Sequence, residues 1–146
     1  MLININNLQK CLRVDKKKVL RAARVVLQGE EECGPGCINI CFTDKRLIRE
    51  LNNRFLGVDS PTDVLAFCLS RNKKKEGLLA EIAVCAETAI ENAGIFGTKK
   101  DDELILYVIH GILHVLGFDD HTKKQKLLMR KKEKEYVNRQ SKGRRP

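Results

Sequence analysis

Tryptophan is missing from the 146-residue chain, and aromatic residues together make up only 5% of it. Long runs of nucleobases stacked on exposed rings are therefore not expected. No stretch approaches the roughly 18 consecutive apolar residues that cross a bilayer. The opening residues, Met1-Leu-Ile-Asn-Ile-Asn6, lack the basic head, apolar run and small-residue cleavage site of a signal peptide. These absences predict a cytoplasmic protein, with no membrane partner, whose six cysteines are reduced thiols packed as small apolar residues. No internal repeat and no second-domain boundary is visible. Histidine is scarce too: there are three, all between positions 110 and 121.

What is present is a balance of 42% hydrophobic and 32% charged residues, that of a soluble globular domain long enough to build a core without disulfide staples. The formal net charge of +9 and a pI near 9.4 suit a polyanionic partner, nucleic acid before an anionic membrane.

Periodicity predicts alternating strands and helices. Ile3 to Asn6 alternates as a short strand. Asp15 to Gln28 has helical spacing in Val19, Leu20, Ala23, Val26 and Leu27, with Asp15 as N-cap, Gly29 as terminator, and Lys16, Lys17, Lys18, Arg21 and Arg24 on a face that solvation explains as well as a binding surface does. Cys37 to Phe42 returns to strand, and Thr43-Asp44 opens a helix through Leu47, Ile48, Leu51 and Phe55 to about Leu56. Gly57 to Phe67 reads as a turn and strand, since Pro61 excludes a helix interior. Arg71 to Gly77 is a charged connection. Leu78 to Val84 is a strand with Glu81 at its middle, followed by a short helix from Glu87 to Ala93 and a turn bracketed by Gly94 and Gly97. A long apolar helix follows, with Thr98 and Asp101 as a capping pair, and then a lysine-rich helix from Thr122 to about Asn138. The pattern predicts an α+β fold, a small mixed sheet packed with about five helices. A single domain would span 1–138, with a basic tail, 139–146, expected to be disordered.

The chemistry concentrates in His110-Gly-Ile-Leu-His114-Val-Leu-Gly117-Phe-Asp-Asp120-His121. Histidines four apart share one helix face, and Gly117 permits the turn that returns a third ligand. Two imidazoles, a glycine turn and a third donor make a three-point divalent-metal site. Position 111 is glycine, so the glutamate base of an H-E-x-x-H protease is absent. Counting H-x-x-G-x-x-H from His114 lands on Asp120, with His121 one residue later. Spacing favours Asp120 as the third ligand, and ligand softness keeps His121 as the alternative. The one left over, or Asp119, can support a ligand from behind. Cys33, Cys37 and Cys41 recur every fourth residue, but on a strand this spacing reads as packing rather than a second metal cluster. Asp63 and Glu81 are candidate carboxylates that caps or edge charges explain equally well.

Four stretches together resemble the YbeY family of bacterial metal-dependent endoribonucleases. They are Leu51-Asn52 with Phe55, Pro61-Thr-Asp-Val-Leu-Ala-Phe67, Leu79-Ala-Glu-Ile-Ala-Val84, and His110-Gly-x-Leu-His114-x-x-Gly117-Phe-Asp. The resemblance implies an α+β fold, one zinc ion (Zn2+) held by His110, His114 and Asp120 or His121, and a basic groove for single-stranded RNA lined by the Pro-Thr-Asp-Val-Leu strand. It implies a single-strand-specific endoribonuclease of rRNA maturation and ribosome quality control. The implied partners are rRNA and ribosomal subunits, with ribosomal proteins or GTPases beside them. Three departures stand out. Leu56 occupies the position where the family usually has arginine, with Arg54 the nearest guanidinium. Ala66 and Cys68 replace the usual serine and proline around Phe67. The family's third histidine aligns with Asp120. The general base is unassigned, and the loss of arginine at position 56 favours an alternative: an RNA- or ribosome-binding assembly factor whose metal is structural.

Overall fold

The computed structural model describes residues 1–32, 34–70 and 72–142. The elements run β1 (Leu2–Asn7), α1 (Lys16–Gly29), β2 (Gly36–Thr43), α2 (Lys45–Leu56), β3 (Val64–Cys68), α3 (Lys73–Glu76), β4 (Leu78–Cys85), α4 (Ala86–Phe96), α5 (Lys100–Val115) and α6 (Lys123–Lys142). The strands form one mixed sheet in the order β1-β2-β4-β3, parallel except for β3, which runs antiparallel to β4 at the edge. This is the expected α+β architecture, with α3 a single turn within the charged connection.

Alternation on the strands separates two faces. The register stacks Ile3–Ile38–Ala80, Ile5–Ile40–Ile82 and Phe42–Val84–Val64 on one side. Helices α1 and α5 cover that side and complete the main core. The most buried helix is α5: Leu104, Ile105, Val108, Ile109, Ile112, Leu113 and Val115 are all inside. Their burial contributes on the order of 10 kcal/mol before conformational entropy is set against it. The opposite face carries Asn4–Asn39–Glu81–Phe67 and Asn6–Cys41–Ala83–Leu65. Helix α2 covers part of it, with Ile48 and Leu51 against Leu65, Ala83 and Cys85; the remainder floors a cleft of about 770 Å³.

Local expectations were met where one residue's chemistry suffices. Asp15 caps α1, its carboxylate accepting from the N–H groups of Lys17 (3.1 Å) and Lys18 (3.3 Å), and Asp44 caps α2 through Leu47 N–H at 2.8 Å. Where neighbours decide, the structure differs. Gly29 is not a terminator: α1 ends on Glu30 with φ −95°, and Gly29 is there because a Cβ would lie 2.4 Å from the Tyr136 ring. Lys18 leaves the solvated face; it is 7% exposed and pairs with Asp102 of α5 at 3.4 Å. Gly94 lies inside α4, and only Gly97 ends it. Thr98 and Asp101 do not cap α5, whose N-cap is Lys99; the Thr98 hydroxyl donates instead to Glu103 at 2.7 Å. Helix α6 continues through Lys142, so residues 139–142, assigned to the tail, are helical, and 143–146 lie outside the described residues. Cys37 and Cys41 are half-buried on the face opposite the main core; Cys33 lies outside the described residues.

Candidate metal centre

Helix α5 presents His110 and His114 from successive turns, their rings edge to face with centroids 4.4 Å apart. Their Nε2 atoms point at each other across 3.0 Å. The helix then stops. Gly117 adopts φ +104°, its N–H bonds to His114 O and that of Phe118 to Leu113 O, each at 3.0 Å. A side chain at position 117 would resist that backbone, which is why glycine makes the turn. Phe118 tucks against the core, and Lys132 Nζ lies 5.0 Å above its ring. The reversal brings Asp120 Oδ2 to 3.6 Å from His114 Nε2 and 3.8 Å from His110 Nε2. Ligands about 2.0–2.1 Å from a tetrahedral ion lie about 3.3–3.4 Å from one another. The edges of 3.0, 3.6 and 3.8 Å straddle that value, so one small divalent ion fits among the three atoms. His110, His114 and Asp120 are also the one such group of potential ligands among the described residues.

His121 goes elsewhere. It is exposed, its backbone N–H donating to Gln125 Oε1 at 3.1 Å. Asp119 is exposed as well.

A residue that the sequence reading missed completes the arrangement. Glu133 of α6 accepts the Nδ1–H of His110 at 2.9 Å, its side chain only 16% exposed. This bond fixes the tautomer that leaves the Nε2 lone pair free for a cation. The available signal was the spacing Met129–Glu133–Tyr136, an acid on the apolar stripe of a lysine-rich helix. Burial works to lower the His110 pKa. The Glu133 hydrogen bond and charge, with Asp63 and Asp120 nearby, outweigh it and hold the pKa above its ordinary value. A setting that raises proton affinity also attracts metal cations.

Gly111 explains more than a missing base. A Cβ there would lie 2.8 Å from Ile82 Cγ2 and 3.1 Å from Val64 Cγ1. Helix α5 rests directly on the sheet at this point, and that contact sets His110 beside the β3 edge. A glutamate at 111 would face the core rather than the His110, His114 and Asp120 donor atoms.

The other candidates have structural partners. Asp63 Oδ1 accepts from Val64 N–H at 2.8 Å and Thr62 Oγ1 at 3.2 Å, closing the turn before β3. Glu81 accepts from Asn39 Nδ2 at 2.7 Å on the open sheet face. Leu56 and Phe55 are 57% and 58% exposed, and the Arg54 guanidinium stands 5.8 Å over the Phe55 ring.

The family model and the curated relatives that match this chain carry one name. The family model described as Endoribonuclease YbeY matches residues 4–141. The Endoribonuclease YbeY of Pelotomaculum thermopropionicum is 31% identical over 95% of this chain and 97% of its own. That of Desulforamulus reducens is 32% identical over the same shares. The solution structure of TM1509 from Thermotoga maritima superposes with a TM-score of 0.65 at 33% identity, covering 95% of this chain and 89% of that one. No described helix is long and apolar enough to cross a membrane. With the helix–turn geometry of the histidine stretch and matches spanning nearly its whole length, the chain belongs to the Endoribonuclease YbeY family.

Proposed function

We propose that this protein is a zinc-dependent, single-strand-specific endoribonuclease acting in rRNA maturation and ribosome quality control in the cytoplasm. Its partners are rRNA and ribosomal subunits. The observation that carries the reading is the convergence of His110 Nε2, His114 Nε2 and Asp120 Oδ2 at the end of α5. Two neutral imidazoles and one carboxylate bring a single negative charge to a dipositive ion, leaving a net positive centre suited to an anionic phosphodiester. Such an ion polarises a phosphoryl oxygen or lowers the pKa of a bound water. The protein's own part is positional. Glu133 holds the His110 tautomer, the Gly117 turn holds Asp120 within reach of both rings, and the exposed basic side chains draw in the RNA.

Replacing His114 with alanine should abolish both zinc retention, read by metal analysis of the purified protein, and chelator-sensitive cleavage of single-stranded rRNA fragments. Cleavage by the metal-free variant would overturn this mechanism. A second reading, an assembly factor with a structural metal, is favoured by exposed Leu56 at the position of the family's arginine. Binding of rRNA without cleavage by the metal-loaded protein would select it.

A further inference from the structure

The cleft on the open sheet face has no part in holding the metal. Its lining is largely apolar, from Leu47, Leu51 and Phe55 of α2 and from Leu65, Phe67 and Leu69. Such a lining is unsuited to a phosphate. Within it lies one acid, Glu81, directly opposite Phe67 in the β3–β4 register. Among the described residues Glu81 has no ion pair; its hydrogen bond is the one from Asn39 Nδ2 to Oε1. Asn39 is held in turn by Asn4, whose Nδ2 donates to Asn39 Oδ1 at 2.9 Å. The ladder across three strands thus orients the carboxylate and leaves Oε2 free to accept. Phe67 and Phe55 meet at 5.7 Å with their planes tilted by 55°, and the exposed Arg54 guanidinium lies 5.8 Å from the Phe55 ring centre. An aromatic platform beside an acceptor-only group, with a guanidinium outside, is a set of contacts for one unstacked base and its phosphate.

We infer that this cleft is a base-recognition subsite for a single unpaired guanine of the RNA, stacked on Phe67 with the tilted Phe55 ring against its side, Glu81 reading its Watson–Crick edge and Arg54 its phosphate. This rests on the reading of the protein as acting on RNA. Guanine offers two adjacent donors, N1–H and N2–H, to a carboxylate. Adenine and cytosine each place an acceptor beside their single donor, and uracil flanks its donor with two acceptors, so each sets a lone pair against Glu81. The scarcity of aromatics fits one such pocket rather than a long stacking surface. Edge strand β3 connects the two sites. Its Val64 end abuts Gly111 beside the metal ligands, while Phe67, further along, faces the cleft on the other side. A single strand crossing this edge can hold a base in the cleft while a phosphate a few nucleotides away reaches the metal.

The test uses the full chain and short oligouridylates carrying one central guanosine, adenosine or cytidine, with affinity read by fluorescence anisotropy. Guanosine should bind about tenfold tighter than adenosine. Glu81→Gln, which keeps the shape and an acceptor for Asn39, should abolish the difference. Phe55→Ala, at an exposed ring, should weaken all three probes about tenfold while the guanosine preference stays. Equal affinities in the wild type, or a preference that survives Glu81→Gln, overturn the inference. Cut-site mapping with metal-loaded protein separates it from the function proposed above. Cleavage without a guanosine preference sinks the subsite and leaves the nuclease; selective binding without cleavage does the reverse. If no probe binds, the subsite falls, and the cleft is better read as a protein-docking groove.

Discussion

At the scale of single residues, the proposed chemistry depends on atoms held a few tenths of an ångström from where a cation needs them. Asp120→Asn should lose zinc in competition with a chelator, because a neutral amide is a poorer ligand than a carboxylate. His121→Ala should retain it; the opposite pattern would transfer the third position to His121. Glu133→Ala should weaken zinc binding about ten- to a hundredfold, since an imidazole freed from its supporting acid can turn and change tautomer. Unchanged affinity, with the fold confirmed by circular dichroism, would leave Glu133 as packing. Gly111→Ala sets a methyl 2.8 Å from Ile82. Such overpacking costs about 1–3 kcal/mol, against roughly 1 kcal/mol that alanine gains over glycine within a helix. A lower urea midpoint is therefore expected. The sequence revealed that the glutamate was missing; the sheet surface beneath α5 shows why glycine is there.

At the scale of elements, the candidate metal site depends on how α6 is held, because Glu133 comes from it. Helix α6 is joined to the end of α1 by one cluster. Glu30 accepts from Lys132 Nζ at 2.8 Å and from the Tyr136 hydroxyl, whose ring fills the space left by Gly29. Burial by itself would raise the Glu30 pKa; the bonds from Lys132 and Tyr136 outweigh it and hold it below the ordinary 4.5. Burial and then the Glu30 hydrogen bond push the Tyr136 phenol up, so it stays a protonated donor through neutral pH. A carboxylate whose pKa is depressed by folding contributes stability above its unfolded value and loses it as pH falls through the folded one. The wild type should therefore lose urea resistance as pH drops below about 4.5, and Glu30→Gln should flatten that part of the profile. A variant with the wild-type slope would exclude Glu30 as the source. None of this was visible in the chain, where Glu30 begins an acidic loop and Lys132 is one lysine among many. The partners are 102 and 106 residues apart.

At the scale of the whole molecule, a net charge of +9 has to be displayed somewhere. It spreads over α1, where Lys17, Arg21 and Arg24 line a shallow groove of about 410 Å³, and over the exposed side of α6, with Lys123, Lys124, Lys126, Arg130, Lys131 and Lys134. Each phosphate neutralised by such groups releases counterions, giving a salt slope of about 0.7 per contact for single strands. Replacing Lys17, Arg21 and Arg24 together with alanine should weaken RNA binding at low salt and reduce the slope of log affinity against log salt by up to about 2. An unchanged slope would place the RNA away from α1. Lys18 is excluded from this surface because it is buried against Asp102.

The sequence by itself determined the alternation of elements, the caps at Asp15 and Asp44, the helix–turn geometry from His110 to Gly117 and the basic character of the surface. Each of these follows from neighbours a few residues apart, through backbone sterics, side-chain spacing or summed charge. Tertiary structure decided the rest. It set Asp120 rather than His121 against the two imidazoles, because the turn after Gly117 aims only one of them inward. It brought Glu133 to His110 from across the fold, since a hydrogen bond between distant elements exists only once both have docked. It also put Glu81 opposite Phe67 in an open cleft, because strand register is a property of pairing and not of either strand.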